Sequence, residues 1–457
     1  MPTVVGASSP FRDSALHAMP LGKASESPSA AALNSAAQKT LSVAIVGINY
    51  APETTGIAPY TTGLAAGLAA RGHNVQVFTG QPHYPQWERL SGYAHLRSTE
   101  DAAGVRLRRF RHFVPRRQSA KSRALMELTF GLQVVTAGWR RPDVVVCISP
   151  PLLASALCAA RSRLSARGPA VGVLVHDVYS RALVEMGAQA SSPTRAVGAV
   201  ESFVTRAADG VAVIHEGFAD DLITKFGVAH DRVREIRNWS HVTAPTPRES
   251  AAFRREQGWR DDELVVLHAG NMGSKQGLEN VIAAARLGAS RGARVKFVLL
   301  GDGHQRRHLH DIAADVPELQ FIAPVSDARF PAALGAADVL LVNELPGVAQ
   351  MAMPSKLTSY FVVGKPILAA ADDHGFTARE IAASGAGIHV PAGRPDLLLN
   401  EAVRLGSDRQ LMYRLGAAGR RYSEANLSAV AALDRYETWI RDLAANRHRQ
   451  AVVQGDT

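Results

Sequence analysis

Cysteine is scarce. The chain has two cysteines among 457 residues, which excludes a disulfide-stapled scaffold and a four-cysteine zinc site and speaks against an oxidising compartment. Long apolar runs are missing as well: the stretch 152–160, interrupted by Ser155, falls far short of the ~20 residues that span a bilayer. The first 39 residues carry neither the basic region nor the apolar stretch of a secretory signal. The expected location is therefore cytoplasmic, with peripheral attachment at the inner face of the plasma membrane left open. No His-Glu-x-x-His occurs, no Asp-x-Asp follows a strand, and His304, His308 and His310 are interleaved with arginines, so no metal site is expected. Zinc-finger spacing and aromatic-basic RNA signatures are lacking too, which leaves no case for nucleic acid.

What is present is an ordinary soluble composition, 46% hydrophobic and 20% charged, in a length that calls for two or three domains. The formal net charge of +10 is unevenly spread: Gly104–Arg123 holds eight basic residues and no acidic one. Such a stretch attracts phosphate on an anionic lipid surface or a diphosphate-linked substrate. A solvated basic face is the alternative reading.

Residues 1–40, rich in Ala, Ser and Pro, read as a disordered leader. From Leu41 apolar strand-like runs alternate with helical stretches, the grammar of a parallel sheet covered on both faces. The polar, proline-bearing segment 241–250 breaks that rhythm and reads as a linker, after which it restarts. The expected division is a first Rossmann-like domain over 41–244, a second over 245–425, a helix over 426–445 and a flexible tail over 446–457. Two such domains imply a cleft, each offering ligand loops at the carboxyl ends of its strands.

In the second domain, His268-Ala269-Gly270-Asn271-Met272-Gly273-Ser274-Lys275-Gln276-Gly277 joins a strand to a helix. Its glycines permit close approach of a ligand to backbone, helix amides suit a diphosphate, and Lys275 adds a mobile charge. The spacing fits neither a Walker A loop nor the dinucleotide fingerprint, and a plain turn remains the alternative. Met353-Pro354-Ser355-Lys356 opens a second helix whose free amides and lysine form another anion candidate. Leu357, Tyr360 and Phe361 on that helix read as core.

In the first domain Gly56 follows the first strand, and its lack of a side chain would let a substrate approach the next helix. His83, Tyr84 and Trp87 follow the second strand, offering an imidazole and two aromatic faces suited to sugars. Asp177 stands at a strand end, where a carboxylate can orient or deprotonate a hydroxyl. His215 follows a further strand and is a candidate for lining the cleft.

The chain resembles the GT-B glycosyltransferases of glycosyltransferase family 4, in particular the branch of colanic acid and exopolysaccharide biosynthesis. The resemblance rests on residues 49–87, on Arg237-Asn238-Trp239, on 268–279, on 298–303 and on 353–369, and covers about 41–440. It implies two doubly wound Rossmann-like domains facing a central cleft, with a C-terminal helix crossing back to the first. It also implies a retaining, cofactor-free and metal-independent transfer of a hexose from a nucleotide diphosphate sugar, GDP- or UDP-linked, to a lipid-linked or oligosaccharide acceptor. On this resemblance Lys275, with the backbone of Gly270, Asn271, Met272 and Gly273, looks like the diphosphate site. Lys356, Pro354, Ser355 and Ser359 would work beside it, and the backbone of Ala323 to Val325 would meet the base. Gly56 looks like the glycine admitting the donor phosphate, His83, Tyr84, Trp87 and His215 like acceptor-side residues, and Asp177 like a polar group near the reacting centre.

Two departures stand out. Asn271 occupies the place of the family's usual arginine before the diphosphate lysine. The usual pair of glutamates seven residues apart is absent, the second falling on Ser359 and the nearest acid, Glu344, lying off register. The alternative readings are a sugar-nucleotide 2-epimerase of the same shape, or a catalytically silent nucleotide-sugar-binding subunit.

Overall fold

The protein was analysed as a computed structural model, which describes residues 39–53, 56–116, 119–164, 168–180, 192–347 and 356–455. It divides into two compact units. The first runs to Ile236 and takes in Leu433 onward; the second is Arg237–Ala432. The boundary thus falls eight residues before the expected one, and the segment read as linker already turns helical at Pro247–Glu256, capped reciprocally by Thr246 and Glu249.

The first unit is built on eight strands: β1 (Ser42–Val46), β2 (Asn74–Gly80), β3 (Arg97–Ala102), β4 (Val105–Phe110), β5 (Val144–Ser149), β6 (Ala170–Val175), β7 (Gly210–Val213) and β8 (Val233–Glu235). Their order is β3-β4-β2-β1-β5-β6-β7-β8, parallel except for β3 against β4. Central strands such as β5 and β6 are buried at every residue, as the Val-rich runs VVVCIS and AVGVLV require of a sheet covered on both faces. The order reverses between β1 and β5, so the crevice for a ligand lies at their carboxyl ends.

The second unit carries six parallel strands: β9 (Leu264–Ala269), β10 (Val295–Leu300), β11 (Leu319–Ile322), β12 (Val339–Asn343), β13 (Ile367–Ala371) and β14 (Gly387–Pro391). They are ordered β11-β10-β9-β12-β13-β14, with the reversal between β9 and β12.

The last helix, Ala429–Gly455, extends through most of the stretch expected to be a flexible tail. From Leu433 it belongs to the first unit, where Trp439 and Leu443 lie directly on β6 and β7. Glycines make that approach possible: a Cβ at Gly172 would fall 2.6 Å from the Trp439 ring, and one at Gly210 would fall 2.8 Å from Leu443.

The basic stretch 104–123 is not a uniform solvated face. Its first half is β4, where Arg109 is buried, pairs with Glu100 at 2.9 Å and donates to the Ala51 carbonyl at 2.6 Å. Arg108 lies over the rings of Phe78 and Phe110 and donates to the Gly138 carbonyl. The charge-rich sequence concealed a strand whose Val105, Leu107 and Phe110 enter the core.

Candidate active site

At the β9–β12 reversal of the second unit, the chain leaves β9 through Gly270, whose φ of +131° favours glycine. The loop rests on the turn after β10. A Cβ on Gly301 would collide with the Gly270 carbonyl oxygen at 2.0 Å, so the two backbones meet only because that side chain is absent. Asp302 is part of this turn, its carbonyl accepting from Met272 N–H and its carboxylate from Gly303 N–H. Lys275 follows in a short 3-10 turn, Ser274–Gln276, exposed and without an ion pair among the described residues. Asn343 at the end of β12 holds that turn: its Nδ2 donates to the carbonyls of Gln276 at 2.8 Å and Gly277 at 2.9 Å, while its Oδ1 accepts from Asn280.

The helix Lys356–Val363 brings a second cation to the same strand ends. Leu357, Tyr360 and Phe361 are fully buried, and the Tyr360 hydroxyl accepts the Ala269 N–H at 3.0 Å. That anchor leaves Lys356 Nζ 3.1 Å from Nε2 of buried His268, with its terminus beside Gly270. Burial pulls the Lys356 ammonium down to about 7, against the opposing pull of Glu344. Burial first, and then Lys356, hold His268 well below the ordinary imidazole range, so the ring is neutral. Glu344 is held by the Thr377 hydroxyl at 2.6 Å, and burial raises its carboxyl.

The expected backbone cradle needs correction. Gly270 N–H donates to the Leu300 carbonyl, Met272 N–H to the Asp302 carbonyl, and Gly273 N–H to the Gln276 side chain. The Met272 side chain is fully buried in the core. These three amides already have acceptors within the protein, while Lys275 and the Asn271 side chain are exposed beside them. Ser359 is half-buried on the Lys356 helix; Ala323 is exposed and Val325 half-buried just past β11. Pro354 and Ser355 lie outside the described residues.

In the first unit a pocket of about 240 Å³ opens at the β1–β5 reversal. It is lined by Gly56, His83, Tyr84, Trp87 and Asp177, five residues singled out from the sequence, and also by Arg123, Glu127 and Tyr179. Buried Glu53 organises one wall: its Oε1 accepts the N–H groups of His83 at 2.7 Å and Tyr84 at 2.8 Å, and its Oε2 accepts from Asn49. His83 Nδ1–H donates to the Gln81 carbonyl at 3.0 Å, leaving Nε2 as the ring's other nitrogen. Its neighbour His112, 4.8 Å away between ring centres, is pushed down to about 3, chiefly by burial. A Cβ on Gly56 would press on the Tyr84 ring at 3.3 Å.

Glu127 is the notable omission of sequence reasoning. It is 6% exposed, and its Oε2 accepts the Leu153 N–H at 3.0 Å, at the start of a helix whose Pro151 cap offers no side-chain acceptor. Burial raises its carboxyl to about 7. His215 departs from expectation. Its Nδ1 accepts the Gly217 N–H at 2.9 Å as a helix cap, and it is not among the residues lining the pocket. Arg237 is likewise structural, paired with buried Glu380 at 2.8 Å.

Residues 55–239 match the glycosyl transferase 4-like domain family, and residues 249–422 match glycosyl transferases group 1. WcaI of Escherichia coli K12, named for colanic acid biosynthesis, is 30% identical over 341 residues, covering 71% of this chain and 82% of that one. The chain belongs to this glycosyltransferase family. WbjE of Pseudomonas aeruginosa, a probable glycosyltransferase by name, is 28% identical over 321 residues, 68% of this chain and 77% of its own. Among solved structures, HepE of Anabaena in complex with UDP shares the fold at TM-score 0.66 and 15% identity, covering 88% of this chain and 100% of that one. WaaG, a glycosyltransferase involved in lipopolysaccharide biosynthesis, does so at TM-score 0.61 and 17% identity, covering 86% and 98%. The architecture of this glycosyltransferase is GT-B, and the protein is a transferase enzyme.

Proposed function

We propose that this glycosyltransferase moves a hexose from a nucleotide diphosphate sugar held by the second unit to a lipid-linked glycan held by the first, in cell-surface polysaccharide synthesis. The observation that carries this reading is that Lys275 and Lys356 stand at the same strand reversal, a two-lysine site fit for a leaving diphosphate. HepE, solved with UDP-glucose on the same fold, and WcaI, named for colanic acid biosynthesis, support it. Departure of a nucleoside diphosphate develops positive charge at the anomeric carbon and negative charge on phosphate. A fixed donor aimed at that charge is worth about 3 kcal/mol of barrier. Transfer with retention needs no protein nucleophile if the leaving phosphate takes the acceptor proton, and the two lysines supply the neutralising charge without a metal ion.

The acceptor side supports a membrane-bound substrate. On the helix Ala120–Thr136, Leu125, Leu128 and Leu132 fall three and four residues apart and are 45%, 40% and 48% exposed, near Phe113 at 40%. Exposed Arg111, Arg116 and Lys121 belong to the same stretch, while Met126 and Glu127 on the helix's other side line the pocket. An apolar stripe flanked by cations fits an anionic bilayer surface. Among the described residues no helix is long and apolar enough to cross a membrane.

The test is a thermal-shift panel of UDP-, GDP-, dTDP- and ADP-sugars followed by transfer to a lipid-linked acceptor. One donor should raise the melting temperature, and Lys275→Ala should abolish both the shift and transfer. A donor shift indifferent to Lys275 overturns the reading, and isomerised sugar nucleotide formed without acceptor replaces it with an epimerase.

A further inference from the structure

A second cavity, of about 420 Å³, lies at the opposite end of the first unit's sheet, at the amino ends of β1 and β2. We propose that it binds a phosphate-class oxyanion, independently of the donor reading. Its floor is a row across three neighbouring strands: Ala44 is in register with Gln76, and Gln76 with Arg106. The same face continues into Val46, Phe78 and Phe110 of the core, so an amide and a guanidinium occupy positions where the sheet elsewhere carries apolar side chains. The small Ala44 leaves room beside them.

The unpaired groups here are donors. Gln76 is 8% exposed and its Nε2 is buried with no acceptor; the Nε of Arg106 is buried with none either. A buried N–H without an acceptor is costly, and a ligand oxygen would meet it. His73, also in the wall, is committed, accepting the Leu41 N–H and pairing with Glu437. Arg140 lines the rim without an ion pair among the described residues, and it and Arg141 hold left-handed backbone, φ +46° and +51°. That conformation is unfavourable for a non-glycine residue and recurs at ligand clamps. Two cations, Arg106 and Arg140, line the cavity, and their charges, after burial, help lower the neighbouring Arg108 guanidinium. Asp101, opposite Arg106 on β3, is the carboxylate in the cavity wall. Forked donors, surplus positive charge and a volume in the range of small-ligand pockets suit an oxyanion, free or carried by a sugar.

Calorimetry on the full chain bearing Lys275→Ala, which disables the proposed diphosphate turn in the other unit, isolates this cavity. Inorganic diphosphate, inorganic phosphate and glucose 1-phosphate are the probes. Binding of about one equivalent is expected, weakened about tenfold or more by Arg106→Ala and by Gln76→Leu. Tighter binding of glucose 1-phosphate than of phosphate identifies a sugar phosphate as the ligand; the reverse identifies the free ion. Gln76→Leu, an apolar replacement on an apolar face, serves if Arg106→Ala does not fold. Absence of binding, binding indifferent to both substitutions, or equal displacement by chloride overturns the proposal.

Discussion

Lys356 Nζ stands 3.1 Å from Nε2 of a fully buried imidazole, His268, and the two groups cannot both be charged. Burial lowers the lysine to about 7, so the donor-free enzyme holds this ammonium only partly protonated at neutral pH. A diphosphate beside it raises the pKa again. Donor binding should therefore take up a proton above pH 7, and affinity should fall as pH rises from 7 toward the pKa of the complex. Calorimetry in two buffers of different ionisation enthalpy measures that uptake, and Lys356→Met should remove it.

The Lys275 turn depends on a residue far away in sequence. Asn343→Ala deletes donors to the Gln276 and Gly277 carbonyls and an acceptor for Asn280. The loss should destabilise the protein by about 1–3 kcal/mol and weaken donor binding about tenfold. Melting temperature and donor titration measure the two effects separately.

Glu127 makes a paired prediction. A carboxyl whose folded pKa is about 7 binds more protons in the folded than in the unfolded state, so its contribution to stability falls as pH rises from about 4.5 through 7. Glu127→Gln keeps an acceptor for the Leu153 N–H and removes the charge. At pH 8 it should be more stable than the parent by roughly 1–3 kcal/mol, while transfer to acceptor falls and its pH profile near 7 flattens. A loss of stability at pH 8 would assign Glu127 to helix capping alone.

Replacing Leu125, Leu128 and Leu132 by serine leaves the pocket side of their helix untouched. Retention on phosphatidylglycerol vesicles should drop about a hundredfold, since each half-exposed leucine removed forfeits about 1 kcal/mol of apolar burial. Binding of the parent should weaken with added salt through Arg111, Arg116 and Lys121.

Much of this was legible in the sequence because it is local. Apolar runs ending in Gly, Asp or His marked strand ends, and Gly56, His83, Tyr84, Trp87 and Asp177, all on loops that follow such ends, line one pocket. The supports were not legible, since their partners are remote: Glu127 meets Leu153 and Asn343 meets Gln276 with no periodicity linking them. The loop glycines misled for a related reason. Their positions permit a phosphate cradle, but Asp302 and Gln276 decide whether the amides are free. Alternating arginines in β4 hid a strand behind its charge, and a polar C-terminal composition hid a helix that continues to Gly455.

That terminal helix has a consequence for synthesis. The glycine-floored strip on β6 and β7 stays bare until Trp439 and Leu443, which follow the whole of the second unit in sequence, have emerged from the ribosome. The unit begun first is thus completed last, and a nascent chain stalled before Leu433 would present an open sheet surface to chaperones.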